Sequence, residues 1–512
     1  MRNDEVLAEN TALKAEVAEL KQHIAWLMEQ LKLSKRRQFG VSSEKSDISQ
    51  GSLFNEVNPV ADLSVSEPDI EDIKAYRRKK SRCSADRLPP DLPVEIIEHE
   101  LPVSERFCPD CSGELHVMGR ETREELKLVP AKAVIVRHIR SVYTCRSCEK
   151  NAESVPFVKA AIPEPVIRGS FASPEAVAHI AAQKFVMGVP LYRQEQEWER
   201  NGILLSRQTM SNWLIRCAED WLKPIYDKLH ELLVTGSVLH ADETTLQVLR
   251  EPGKTAQSKS YLWLYRTSGD AAHPIVLYDY RPSRSGKHAA EFLRGFRGYL
   301  HTDGYAEYRR RLPNEIAVVG CWAHARRKFD EALTVLAEKD RAGSDAWHGK
   351  QFCDRLFELE RKFDGLSPDD NFDARRQARV EHSKPVMEAF FFWAERLNRE
   401  KLPKMLLGKA IRYALDQRLW LERVLLDGRL ELSNNRAERS IKPFVIGRKN
   451  WLFNNTPKGA EASAMIYSII ETVKENKINP FDYLTAVFRK APNLPANSSV
   501  DALLPWNLCR NN

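Results

Sequence analysis

The sequence predicts a multidomain α+β protein, and three observations carry that reading. A heptad-spaced apolar seam opens the chain, two C-x-x-C pairs follow it, and short apolar strands from residue 237 give way to a long helical stretch. With 512 residues, 43% of them apolar, the chain has enough material for several domains and a sizeable core.

Val6, Asn10, Leu13, Val17, Leu20, Ile24, Leu27 and Leu31 recur with alternating steps of four and three. This predicts a parallel, leucine-zipper-like coiled coil within residues 1–42, and hence at least a dimer. Asn10 on the seam would fix the register. One amphipathic helix packed on its own protein is the alternative. Residues 43–95 read as a flexible linker, rich in Ser, Asp and Glu and closed by the basic run Arg77 to Lys80 and by Leu88-Pro89-Pro90.

Residues 96–160 hold Cys108-Pro-Asp-Cys111 and Cys145-Arg-Ser-Cys148. Each pair can form a knuckle with two thiolates facing one metal, and the two together complete a tetrahedral sulfur shell for Zn²⁺. The intervening run Val134, Val136, His138, Arg140, Val142 alternates as a strand would, so the module reads as zinc-ribbon-like, with redox chemistry as the rival. Cys83, Cys217, Cys353 and Cys509 read as ordinary thiols of a reducing compartment. No signal peptide and no apolar run of about 18 residues is evident, so a soluble cytoplasmic protein is expected.

Residues 165–230 predict three helices: Ser173-Pro174 to Gly188, Pro190 to Gly202, and one capped by Ser206. On the third, Met210, Trp213, Leu214 and Cys217 face inward. Arg207, Gln208, Ser211 and Asn212 then face outward, as on the recognition helix of a helix-turn-helix, or on a plain helical subdomain. The net charge of +7 says little, but Lys35-Arg36-Arg37, Arg309 to Arg311 and Arg326 to Lys328 add clusters suited to phosphates or to a solvated surface.

Residues 235–455 predict strands at 238–242, 245–249, 261–266 and 275–278, a helix at 286–296, then strands at 299–303 and 316–320. Strands joined by turns, followed by a right-handed helical crossover to a strand beside the first, is the ribonuclease H-like order. It makes Asp242 and Asp303 neighbours at adjacent strand ends. Residues 322–430 read as a helical insertion, after which Glu438 has to return to the two aspartates on a helix, with Asn434 and Asn435 on its face. Three such carboxylates suit two Mg²⁺ ions and phosphodiester chemistry. Asn435-x-x-Glu438 also fits a capping box, and both aspartates could cap turns. Residues 456–512 form a C-terminal helical region.

Long ordered motifs then carry a resemblance. The zipper followed by Arg37-Gln-Phe-Gly-Val-Ser-Ser-Glu44, the paired knuckles, Leu191-Tyr-Arg-Gln-Glu195, Asp242, Asp303, Cys321-Trp-Ala-His-Ala-Arg-Arg-Lys-Phe329, the stretch Asn434 to Phe453 and Leu503-Leu-Pro-Trp-Asn507 resemble the insertion-sequence sixty-six transposases, a branch of the DDE transposases. The resemblance implies that Asp242, Asp303 and Glu438 hold Mg²⁺ or Mn²⁺ and cut and join double-stranded DNA at the element ends and target. It implies a nucleoid-associated bacterial protein, with accessory proteins from the same element as partners. Cys321-x-x-His324 resembles a signature found after the second acid in related enzymes, which makes His324 an active-site orienter or DNA contact; packing beside Trp322 is the alternative. Asn434 and Asn435 could hold the glutamate, a metal water or a phosphate, while Lys442, Arg448 and Lys449 follow Glu438 closely enough to grip DNA. A non-catalytic DNA-binding regulator and a nuclease that never joins strands are the rival functions.

Overall fold

The computed structural model describes residues 133–144, 157–363, 372–399, 404–495 and 498–508, together with five helical positions among the first 28. Two of those five, Val17 and Ile24, belong to the heptad seam, and both are exposed. The rest of the seam, the linker and the four knuckle cysteines lie outside the described residues. Of the alternating run 134–142, only Val142 enters a strand; residues 133–141 have no regular structure, and Val134 and Ile135 stand exposed. Val142–Thr144 (β1) pairs antiparallel with Phe157–Lys159 (β2).

Three helices follow, Pro174–Phe185 (α1), Leu191–Arg200 (α2) and Arg207–Cys217 (α3). Their starts are local chemistry. Ser173 Oγ accepts from Ala176 N and Ser206 Oγ from Thr209 N, and Pro190 precedes α2 with φ already at −62°. Gly188 and Gly202 adopt left-handed φ of 71° and 76° past the ends of α1 and α2, where a side chain would be strained. Met210, Trp213, Leu214 and Cys217 are buried, as the helical period requires. A π-helical turn then leads into Lys223–Val234 (α4).

The central sheet has five strands: Val238–Gln247 (β3), Lys259–Thr267 (β4), Val276–Arg281 (β5), Gly298–His301 (β6) and Ile316–Val319 (β7). Their spatial order is β5-β4-β3-β6-β7. β3, β4 and β5 form an antiparallel meander, and β6 and β7 add in parallel on the other side of β3. Gly286–Phe292 (α5) makes the crossover and Ala306–Arg311 (α6) joins β6 to β7. The segments 238–242 and 245–249, read as separate strands, are one: β3 runs unbroken through Glu243 and Thr244. Those polar residues do not interrupt it, because each finds partners across the sheet, Glu243 opposite Trp263 and Thr244 opposite Leu262.

Trp322–Thr334 (α7), Asp345–Phe363 (α8), Phe372–Ala378 (α9), Lys384–Asn398 (α10) and Leu406–Leu421 (α11) form a helical lobe with its own core around Trp322, Phe329, Phe390 and Phe391. The chain returns through Asn435–Trp451 (α12), Pro457–Glu475 (α13), Pro480–Lys490 (α14) and Pro505–Leu508 (α15). α13 seals the exposed edge of the sheet. Val276 N donates to Thr472 Oγ1 at 3.0 Å and Tyr278 N to Ser468 Oγ at 2.7 Å, so two of the outward amides of β5 are satisfied by α13. Buried residues of α1, α3, α4, the sheet and α12 to α15 belong to one contiguous core. Among the described residues no helix is long and apolar enough to cross a membrane.

Candidate active site

The parallel register of β3 and β6 sets the site. His240 pairs with His301, and their rings stack 4.5 Å apart at 11°. Asp242 lies within β3, two residues beyond His240, and Asp303 lies in the loop two residues beyond His301, just past the end of β6. The pairing of β3 with β6 brings the Asp303 loop beside the middle of β3, close enough for the Asp303 charge to act on the Asp242 carboxyl. Asp242 Oδ1 accepts from Glu243 N at 2.8 Å and Asp303 Oδ1 from Tyr305 N at 2.9 Å. Burial, then the Glu243, Asp303 and Glu438 carboxylates, raise the Asp242 pKa well above its ordinary value. Crowded, desolvated acids of this kind are what a bound cation relieves.

Glu438 arrives on the first turn of α12, held there by Asn434. The Asn434 side chain donates from Nδ2 to Ala241 O at 2.8 Å and accepts at Oδ1 from His240 Nδ1 at 3.0 Å. Its backbone N–H donates to Cys321 Sγ at 3.1 Å. Burial pushes the His240 pKa down to about 3, so the ring is neutral and its Nδ1 proton serves this bond. One asparagine thus fastens α12 to β3 beside Asp242. Asn434→Ala is expected to strand a buried N–H and a buried carbonyl, lowering stability by about 1–3 kcal/mol in urea unfolding.

This corrects two expectations. Asn434 is wholly buried with its amide committed, so it positions the glutamate and does not offer itself to DNA. The capping box is not formed either: Asn434, not Asn435, is the cap, and the Glu438 carboxylate turns away from it. Glu438 Oε2 accepts from Arg327 Nη2 at 3.2 Å, and Oε1 lies 3.7 Å from His324 Nδ1. His324 therefore faces the third acid from the first turn of α7.

A fourth carboxylate escaped the sequence reading. Glu243 accepts from Arg284 Nε at 2.9 Å and from Tyr308 Oη at 2.8 Å, with its side chain only 1% exposed. Arg284 stacks 3.9 Å over the Tyr305 ring, and Tyr305 Oη donates to Arg284 O at 2.8 Å. The chain of contacts braces the Asp303 loop from the far face of the sheet. Tyr413, on α11, reaches the same loop and donates to Asp303 O at 3.0 Å. The signal for Glu243 was present as a carboxylate one residue from Asp242 in an unbroken strand; the supposed break at 243–244 hid it.

Comparison with known proteins decides the family. The description "Transposase IS66 family" matches residues 169–462, which contain Asp242, Asp303 and Glu438. The chain belongs to the IS66 transposase family. A zinc-finger binding domain of transposase IS66 matches residues 105–149, "Transposase C of IS166 homeodomain" matches 26–97, and the IS66 C-terminal element matches 468–506. The chain is similar along nearly its whole length to two uncharacterized proteins of Sinorhizobium fredii. It is 32% identical to y4qI, covering 98% of this chain and 92% of that protein, and 31% identical to y4jD, covering 99% and 98%.

In this IS66-family transposase the candidate DNA contacts divide into two groups. Arg207, Gln208 and Asn212 are exposed on α3 and Ser211 is half-buried; Arg207 N donates to Glu195 Oε1 at 2.9 Å, and Gln208 Nε2 to Asn212 Oδ1 at 3.1 Å. On α12, Asn435, Lys442 and Lys449 are exposed, and Arg439 joins them on that face. Arg448 is different. Its guanidinium donates to Thr245 O, and to Thr245 Oγ1 at 3.0 Å, tying α12 to β3.

Proposed function

We propose that this chain is a DDE transposase with a ribonuclease H-like catalytic core, which cuts at the ends of an insertion sequence and transfers the 3′ ends to target DNA. The observation that carries the reading is the convergence of Asp242 on β3, Asp303 in the loop after the adjacent parallel strand β6, and Glu438 on α12, in a sheet ordered β5-β4-β3-β6-β7. Asp242, Asp303 and Glu438 would hold Mg²⁺ or Mn²⁺. Bound there, a pair of such ions supplies activation of water and then of the freed 3′-hydroxyl for in-line attack.

The remaining roles fall to the chain. Asn434 holds Glu438 in place, and Arg327 fixes one of its oxygens. Arg439, Lys442 and Lys449 line the outer face of α12 for phosphates, and Asn435 lies at its start. The α3 residues Arg207, Gln208, Ser211 and Asn212 and the Cys108, Cys111, Cys145, Cys148 zinc module recognise the terminal repeats. The N-terminal helix pairs two protomers, and thus two ends.

Cleavage and joining of labelled end DNA in Mg²⁺ or Mn²⁺, comparing wild type with Glu438→Gln, tests this. Cut and joined products from wild type alone are expected. Equal activity in both would remove Glu438 from the site, and cutting without joining would point to a nuclease. Binding without cutting by either, with the element's accessory proteins present, would support a non-catalytic regulator.

A further inference from the structure

Cys321 caps the N-terminus of α7 and His324 stands three positions later, so both side chains share one side of its first turn. Glu438 enters from the first turn of α12. Cys321 Sγ, a His324 ring nitrogen and a Glu438 oxygen lie within 4.8 Å of one another. His324 Nδ1 and Glu438 Oε1 are buried, 3.7 Å apart, and neither has a hydrogen-bond partner among the described residues. Two facing polar atoms left unsatisfied in this way call for a shared partner.

We propose that Cys321, His324 and Glu438 form a site for a divalent transition ion of the zinc class, which shares Glu438 with the aspartate pair. The distances suit it. Bonds of about 2.0–2.3 Å in tetrahedral geometry put neighbouring ligand atoms roughly 3.3–3.8 Å apart, so a small inward movement of Cys321 completes the set. Sulfur, imidazole nitrogen and carboxylate oxygen together select Zn²⁺ or Co²⁺ over Mg²⁺, which takes oxygen ligands. Arg327 occupies Oε2 and leaves Oε1 for the ion. Burial pushes the Cys321 thiol pKa up to about 11 and the Asn434 N–H donation to Sγ offsets this only in part, so the thiol proton passes to solvent when the ion binds. An ion held here draws Glu438 toward α7 and away from Asp242 and Asp303. That consequence for strand transfer rests on the function proposed above; the site itself does not.

Cobalt titration of the full chain, followed by absorption, tests the site without DNA. Wild type and His324→Ala both keep the knuckle cysteines, so their difference reports this site alone. Wild type is expected to take up one more Co²⁺, with tetrahedral d–d absorption and a thiolate charge-transfer band that excess Mg²⁺ does not abolish. Cys321→Ser should lose that part of the charge-transfer band and bind the ion at least tenfold more weakly. His324→Asn, which preserves size and polarity, should behave as His324→Ala does. Identical stoichiometry and spectra in wild type and all three variants, at matched circular dichroism, would overturn the proposal. Cobalt bound as expected by a chain that never cuts DNA would leave the site standing and sink the transposase mechanism instead.

Discussion

Asp242→Asn is expected to abolish metal-dependent cleavage and, in the same chain, to raise the thermal stability of the metal-free protein. Loss of one preorganised charge-stabilising group typically costs about 10²–10³ in rate, and losing an acid crowded by three other carboxylates should cost at least that much. The stability gain has a separate origin. Asp242 is desolvated and feels the charges of Glu243, Asp303 and Glu438, which together raise its pKa well above the ordinary 3.8. The folded chain therefore holds that proton more tightly than the unfolded one. Stability falls as pH rises from about 3.8 through the raised value, and stays reduced above it. The neutral amide removes that slope. Thermal midpoints in EDTA across a pH series should show the variant above wild type at neutral pH, with the gap closing in acid. Adding Mg²⁺ should raise the wild-type midpoint and leave the variant nearly unmoved. A variant that is less stable in EDTA at neutral pH, or that still cuts, would separate Asp242 from the acidic cluster.

Arg379→Ala is expected to destabilise the helical lobe by about 3–5 kcal/mol, the usual cost of breaking one side of a buried ion pair. Arg379 is wholly buried and its five N–H groups are all used. Nε and Nη2 donate to Glu360 at 3.0 and 2.5 Å, Nη1 to Val424 O and Asp427 O at 3.1 and 3.0 Å, and Nη2 also to Leu430 O at 2.6 Å. The guanidinium thus pins residues 424–430, which lead directly to Asn434 and Glu438. Burial works against ionisation of Glu360, but the Arg379 and Arg375 charges outweigh it and lower its pKa below the ordinary 4.5. The pair's contribution is accordingly present above about pH 4.5 and lost as pH falls through the lower folded value. Urea unfolding should show the loss, and Arg379→Met with Glu360→Met should recover part of it by removing both charges. A loss below about 1 kcal/mol for Arg379→Ala would mean the lobe is held elsewhere.

Much of this architecture was legible from local chemistry. Ser173, Pro190 and Ser206 mark helix starts because caps act within one turn, and Met210, Trp213, Leu214 and Cys217 declare a buried face by their spacing alone. Asp242 and Asp303 were legible as acids that follow short apolar strand-forming runs, but not as strand-end residues: Asp242 lies in the middle of β3 and Asp303 in the loop past β6. Glu243 was missed because its partners, Arg284 and Tyr308, come from segments 41 and 65 residues away. Asn434 was misassigned for the same reason: polarity in a motif does not say whether the side chain meets solvent, and His240 and Ala241 claim it from 194 and 193 residues away.

The sequence by itself determined the helix caps, the strand candidates, the family motifs and three candidate acids. Only the tertiary structure decided which polar side chains are committed to the scaffold and which stay exposed. Asn434 and Arg448 are turned inward to β3, Lys442 and Lys449 remain exposed, and His324 is brought against Glu438 from 114 residues away in the chain. The physical reason is range. Caps and periodicity act over three or four residues and are written locally, whereas burial and hydrogen-bond partnership depend on segments that meet only when the sheet and the helical lobe have closed around them.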